Sequence, residues 1–143
     1  MKEQWKSLAV AALIGCGGGH ASVPLNLPVT NTATTSTDSA GVTTSEIALG
    51  DSVFNGRPGG GICATCHGPD GVGTGAAPSL SDTLWINGDG SLGFIEGTVH
   101  QGVQHPKQYP LPMPPFGHTL TERQLHAVAA YVYSLSHRRS GGP

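Results

Sequence analysis

The pentapeptide Cys63-Ala64-Thr65-Cys66-His67 constrains this chain more than any other feature. Two thiols three positions apart lie on one side of a helical turn, where they can add to the two vinyl groups of a haem, and the next residue is a histidine able to reach the iron. A flat, mostly apolar group bound there would oblige the rest of the chain to wrap around it. Other chemistries use the same cysteine spacing. A zinc ribbon needs a second Cys/His pair, yet the only other cysteine, Cys16, falls inside an apparent export segment. A thioredoxin-like pair belongs in a βαβ setting, and none is visible around residues 63–66. The favoured reading is one covalently attached c-type haem, held by Cys63, Cys66 and His67.

The length of 143 residues suits one domain with appendages. With 22 Gly, 11 Pro and 11% charged residues, the composition describes a loop-rich, weakly charged domain. It lacks the aromatic-basic interleaving of a nucleic-acid binder, and nucleic acid is excluded as a partner on that ground. A small, loop-rich core needs a staple, which a haem buried among apolar side chains would supply.

The N-terminus reads as a secretion signal: Lys2 and Lys6, an apolar stretch from Leu8 to Ile14, then Gly15-Cys16. The stretch is too short to span a bilayer. Leu13-Ile14-Gly15-Cys16 is similar to a bacterial lipobox, in which the cysteine is acylated and becomes the first residue. Cys16 is otherwise a stray thiol in an oxidising compartment. Cleavage after Ala21, with Gly19 and Ala21 as the small residues, is the alternative. The expected organisation is a lipoprotein-type signal over 1–15, a flexible Thr/Ser-rich tether over 16–44, a haem domain over 46–139 and a disordered tail over 140–143. A plain export spacer is as open as a swinging tether. The expected location is extracytoplasmic, on the periplasmic face, as a monomer anchored to the membrane by lipid. Without residues 1–15 the chain keeps five cations against eight carboxylates, a net charge of −3. Docking to redox partners should then rest on apolar contact around an exposed haem edge, with weak salt dependence.

Within the domain, Ser45-Glu46 is the expected start of a helix carrying Ile47, Leu49, Val53 and Phe54, with Gly50 permitting a close crossing. The run Arg57 to Gly61 and the stretch Gly68 to Gly75 are loops that bracket the pentapeptide. Ser91 caps a middle helix with Leu92, Ile95 and Val99 on one face and Gly102 as its stop. Gly93 and Gly97 weaken that helix. Thr121 and Gln124 form a capping-box pattern, Leu120 and Leu125 a hydrophobic staple, and Leu125, Val128, Ala129, Val132 and Leu135 one apolar stripe. His137, Arg138 and Arg139 sit where a helix C-terminus favours them. No strand-length alternation occurs, so the fold class is all-α, three or four short helices around the haem.

An iron held by His67 needs its other axial side filled. Met113 is the one methionine besides the initiator, and it lies in Leu111-Pro112-Met113-Pro114-Pro115-Phe116, where flanking prolines stiffen the backbone. His100, His105 and His118 are the competing sixth ligands and would give a bis-histidine iron of lower potential.

The chain resembles the class I c-type cytochromes over residues 46–139. The resemblance rests on Gly50-x-x-x-Phe54, the run Cys63 to Gly68, Ala77-Pro78-Ser79-Leu80, Met113-Pro114-Pro115, and Leu120-Thr121 leading into Ala127 to Val132. It is similar to small monohaem cytochromes and to the haem domains of dihaem subunits in haem-copper oxidases, which share the pattern around Leu84-Trp85. The resemblance implies that Gly50 and Phe54 cross the last helix near Val128 and Tyr131. It also implies that the Pro78 carbonyl accepts the His67 Nδ1 proton, and that Trp85 lines the haem pocket near a propionate; an ordinary core tryptophan is the other reading of Trp85. The chain departs from the compact members in a longer Gly-rich loop before Cys63 and in an insertion over His100 to Pro112, where partner choice is expected to reside. The expected function is one-electron transfer, without catalysis of its own, between partners such as a terminal oxidase, a quinol-oxidising complex or a dehydrogenase. A haem-based gas sensor or peroxide-reactive enzyme, and a fixed electron-entry subunit docked through Phe116 and the proline loop, are the alternatives.

Overall fold

The computed structural model describes residues 40–57 and 62–137. The expected signal, the lipidation site Cys16, most of the tether, the Gly-rich loop over 58–61 and the tail lie outside the described residues. Four α-helices follow in order: α1 (Thr44–Phe54), α2 (Cys63–His67), α3 (Leu92–Gln101) and α4 (Glu122–His137), with a 3-10 turn at Pro69–Gly71. Among the described residues there is no strand; an antiparallel bridge joins Val103 and Met113. No described helix is long and apolar enough to cross a membrane.

Helix α1 begins earlier than Ser45. Thr43 is its N-cap: Glu46 N–H donates to Thr43 Oγ1 at 3.2 Å while Thr43 N–H donates to Glu46 Oε2 at 2.8 Å. Thr43, Thr44 and Ser45 are all able to cap; the choice falls to the one with a glutamate three residues on, which closes the reciprocal pair. Val42 just before it is 1% exposed, so the packed domain takes in residues expected to belong to the tether.

The other two long helices start and stop where their capping residues stand. Ser91 Oγ accepts Phe94 N–H at 3.3 Å, and Gly102, at φ 70°, ends α3. Gly93 and Gly97 do not interrupt it. At α4, Thr121 Oγ1 accepts Gln124 N–H at 3.3 Å and Gln124 Oε1 accepts Thr121 N–H at 3.0 Å, with Leu120 and Leu125 both buried as the staple requires.

Helix α4 is the spine of the core. Its most extensive packing is against α1, then α3. Gly50 makes the first crossing: a Cβ there would run into the Ala127 carbonyl oxygen and the Tyr131 Cβ. One turn along, the Phe54 and Tyr131 rings meet at 5.3 Å and 54°, a tilted arrangement that aromatic quadrupoles favour. Ile95 and Val99 of α3 share the core with Leu125, Val128 and Val132. His126 joins all three helices, with Nδ1 3.2 Å from Glu96 Oε2 and Nε2 3.7 Å from Glu46 Oε1. Exposed pairs contribute about 0–1 kcal/mol, whereas each fully buried Leu or Val contributes about 1.5–3 kcal/mol. Apolar burial therefore sets the helix arrangement and the His126 contacts trim it.

Candidate haem site

Helix α2 is the pentapeptide itself, and five residues cannot sustain a helix alone. The following loop supports it. Gly73 N–H donates to His67 O at 2.7 Å and Thr74 Oγ1 donates to Cys66 O, occupying carbonyls that a helix end leaves without partners. The loop then doubles back, with Thr74 N–H donating to Ala77 O at 3.0 Å and Leu80 N–H to Gly71 O at 2.7 Å. That path brings the Pro78 carbonyl to the His67 ring, where Nδ1–H donates to it at 2.9 Å. A carbonyl only accepts, so Nδ1 carries the proton and Nε2 keeps its lone pair. Burial draws the His67 pKa below its ordinary value, the Pro78 bond opposing in part. A neutral imidazole with a free Nε2 is the form that ligates a metal.

Cys63 and Cys66 are half-buried free thiols. Burial pushes the Cys63 thiol up, with a smaller push from Cys66. Both line one cavity, open to solvent on one side, with His67 and Met113. Phe54, Leu80, Ile95, Val99, Val128 and Val132 are among its apolar walls.

Met113 reaches the cavity from the segment joining α3 to α4, and its backbone is fixed from both sides. Met113 N–H donates to Val103 O at 3.0 Å and Val103 N–H to Met113 O at 2.9 Å; Phe116 N–H and Gly117 N–H then donate to Val99 O at 3.0 Å and His100 O at 3.1 Å. The Met113 segment thus satisfies the terminal carbonyls of α3. Gly102 allows this closeness, for at φ 70° its Cβ would meet the Met113 carbonyl oxygen and the Pro114 carbon. Residues 104–112 loop out from the bridge.

Pro78 and Trp85 also line the cavity, with the indole Nε1 of Trp85 packed against the Gly90 backbone. His100, His105 and His118 are exposed and are absent from the described lining. The supporting contacts of Gly73, Thr74 and Leu80, and the partner role of Val103, were not anticipated. They are backbone bonds between loops, and no periodic or motif signal marks them.

The residues present fit a haem: two thiols at i and i+3, an imidazole with Nε2 free, a thioether and apolar walls. A family model described as cytochrome C oxidase, cbb3-type, subunit III matches residues 45–132. The chain belongs to that family. It is a class I c-type cytochrome in fold, and haem is the group that this family's site takes. Relatives of this chain include a cbb3-type cytochrome c oxidase subunit FixP of Sinorhizobium medicae (strain WSM419), 38% identical over 93 residues, covering 63% of this chain and 30% of that protein. Another is a subunit CcoP of Rubrivivax gelatinosus, 36% identical over 77 residues, covering 52% of this chain and 23% of that protein. The chain thus spans less than a third of the length of the curated relatives it matches. The structure of the c-type cytochrome XoxG from Methylobacterium extorquens AM1 has the same fold, with a TM-score of 0.50 at 22% identity over 69% of this chain and 62% of that one.

Proposed function

We propose that this domain carries one covalently bound haem c and transfers single electrons, without catalysing a bond change of its own. The observation that carries this reading is the apolar cavity that gathers Cys63, Cys66, His67 and Met113, with the His67 proton already committed to Pro78. Cys63 and Cys66 would hold the group through thioethers, and His67 Nε2 and the Met113 thioether would fill its axial positions. When bound, the haem supplies an iron that gains and loses one electron. The chain keeps both ligands in place through the Pro78 bond and the Val103 bridge, so little needs to rearrange between the two oxidation states. The walls are mostly apolar, and the described lining contains no carboxylate to serve as an acid or base, which favours a carrier over a peroxide-reactive enzyme or gas sensor.

FixP and CcoP are named as oxidase subunits, and that supports a second form of the reading, in which the domain is a fixed electron-entry part of a larger oxidoreductase. We extend the proposal to location: lipidation at Cys16, a tether ahead of the domain, and action on the periplasmic face of a membrane. Co-expression with a haem-attachment system tests the core of the reading. Haem should stay with the unfolded polypeptide and be lost in Cys63→Ser/Cys66→Ser, and the titration should follow a single one-electron Nernst curve. Carbon monoxide binding readily to the reduced, unmutated protein would contradict the carrier reading.

A further inference from the structure

The cavity is nearly devoid of charge, with one exception that the ligand set does not use. Lys107, in the loop that bulges from the Val103–Met113 bridge, lines it and is the only Lys, Arg, Asp or Glu among its described lining residues. Its ammonium makes one hydrogen bond, to the Ile86 carbonyl at 3.3 Å, and has three donors to place. No described carboxylate lies within ion-pair distance of it; the described pairs are Arg57 with Asp51 and His126 with Glu46 and Glu96. Asp82 and Asp89 belong to the facing segment, but each accepts a backbone N–H of its own turn, from Leu84 and Ser91. Further polar side chains of the lining stand near it in sequence: Trp85 and Asn87 flank Ile86, and Gln108 and Tyr109 follow Lys107.

A c-type haem brings two carboxylates into the cavity. We propose that Lys107 is the cation that receives them, at the edge closed by residues 84–87 and 106–109, and that its charge holds the redox potential up. The inference rests on the haem reading above. A positive charge beside the group disfavours the oxidised state, which carries one more positive charge; Lys107 is exposed, so solvent and salt screen that effect in part. Lys107 is a potential-setting residue and takes no part in ligation. Its place in the 104–112 loop, one bridge away from Met113, lets the same segment deliver the thioether and the charge.

The test is a charge series at one position in the haem-loaded full chain, read as midpoint potential by spectroelectrochemical titration at low and high salt. Lys107→Arg should match the unmutated protein, Lys107→Met should fall below it, and Lys107→Glu should fall further, with the spread shrinking as salt screens it. A loop clasp alone would give a different pattern: Met and Glu equally displaced from Lys. That result, or a potential indifferent to residue 107, would overturn the inference while the protein still showed its haem spectrum. Failure of the unmutated chain to take up haem would instead overturn the haem reading, and this inference with it.

Discussion

A single methyl group at Gly50 is the smallest change that tests the core packing. The space it needs is held by the Ala127 carbonyl oxygen and the Tyr131 Cβ, both on a helix whose neighbouring residues are buried, so neither is free to swing aside. Gly50→Ala should destabilise the protein by about 1–3 kcal/mol, seen as a lower denaturant midpoint with an unchanged haem spectrum in whatever folds. The His67 site is the other place where single atoms decide. Its spacing, Cys63 to His67, was legible because covalent haem attachment, as proposed, would demand those residues in that order. The Pro78 acceptor was legible only through the family pattern, since the bond depends on a loop path set by Thr74, Ala77 and Leu80. Periodicity carries no record of such a path.

At the scale of elements, the caps of α3 and α4 were readable because a serine and a Thr-x-x-Gln stand at their starts. At α1 three hydroxyl residues stand in a row and the expected start at Ser45 falls late, because Glu46 closes its reciprocal pair with Thr43. Thr43→Ala should cost about 0.5–2 kcal/mol of stability. The same box has a pH signature. Hydrogen bonds from the Thr43 backbone and then its hydroxyl, with a smaller pull from His126, hold the Glu46 carboxyl below its ordinary 4.5 against a small burial effect. A depressed carboxyl pKa adds stability that is present above about pH 4.5 and is lost as pH falls through the lower folded value. Glu46→Gln should therefore flatten the acid limb of the stability–pH curve below pH 4.5, measured by denaturant titration. The segment carrying Met113 depends on Gly102. Gly102→Ala forces a Cβ at φ 70° into the Met113 and Pro114 backbone, and should speed carbon monoxide binding to the reduced protein by loosening the thioether.

Viewed as a whole, the chain bears a formal charge of only −2, and large apolar side chains stand at the cavity mouth, with Leu84 80% and Ile62 63% exposed. Association with a redox partner should thus be driven by apolar contact. Its rate should change by less than about tenfold as salt rises, the low end of electrostatic steering. The central claim is narrower: His67 and Met113 together hold one iron. The most direct measurement is the near-infrared spectrum of the oxidised, haem-loaded protein, where a thioether on iron gives a weak sulfur-to-iron charge-transfer band. The account predicts that band in the unmutated protein and its loss in Met113→Ala, with haem still attached through Cys63 and Cys66. A spectrum without the band, or a band that survives Met113→Ala, would contradict it.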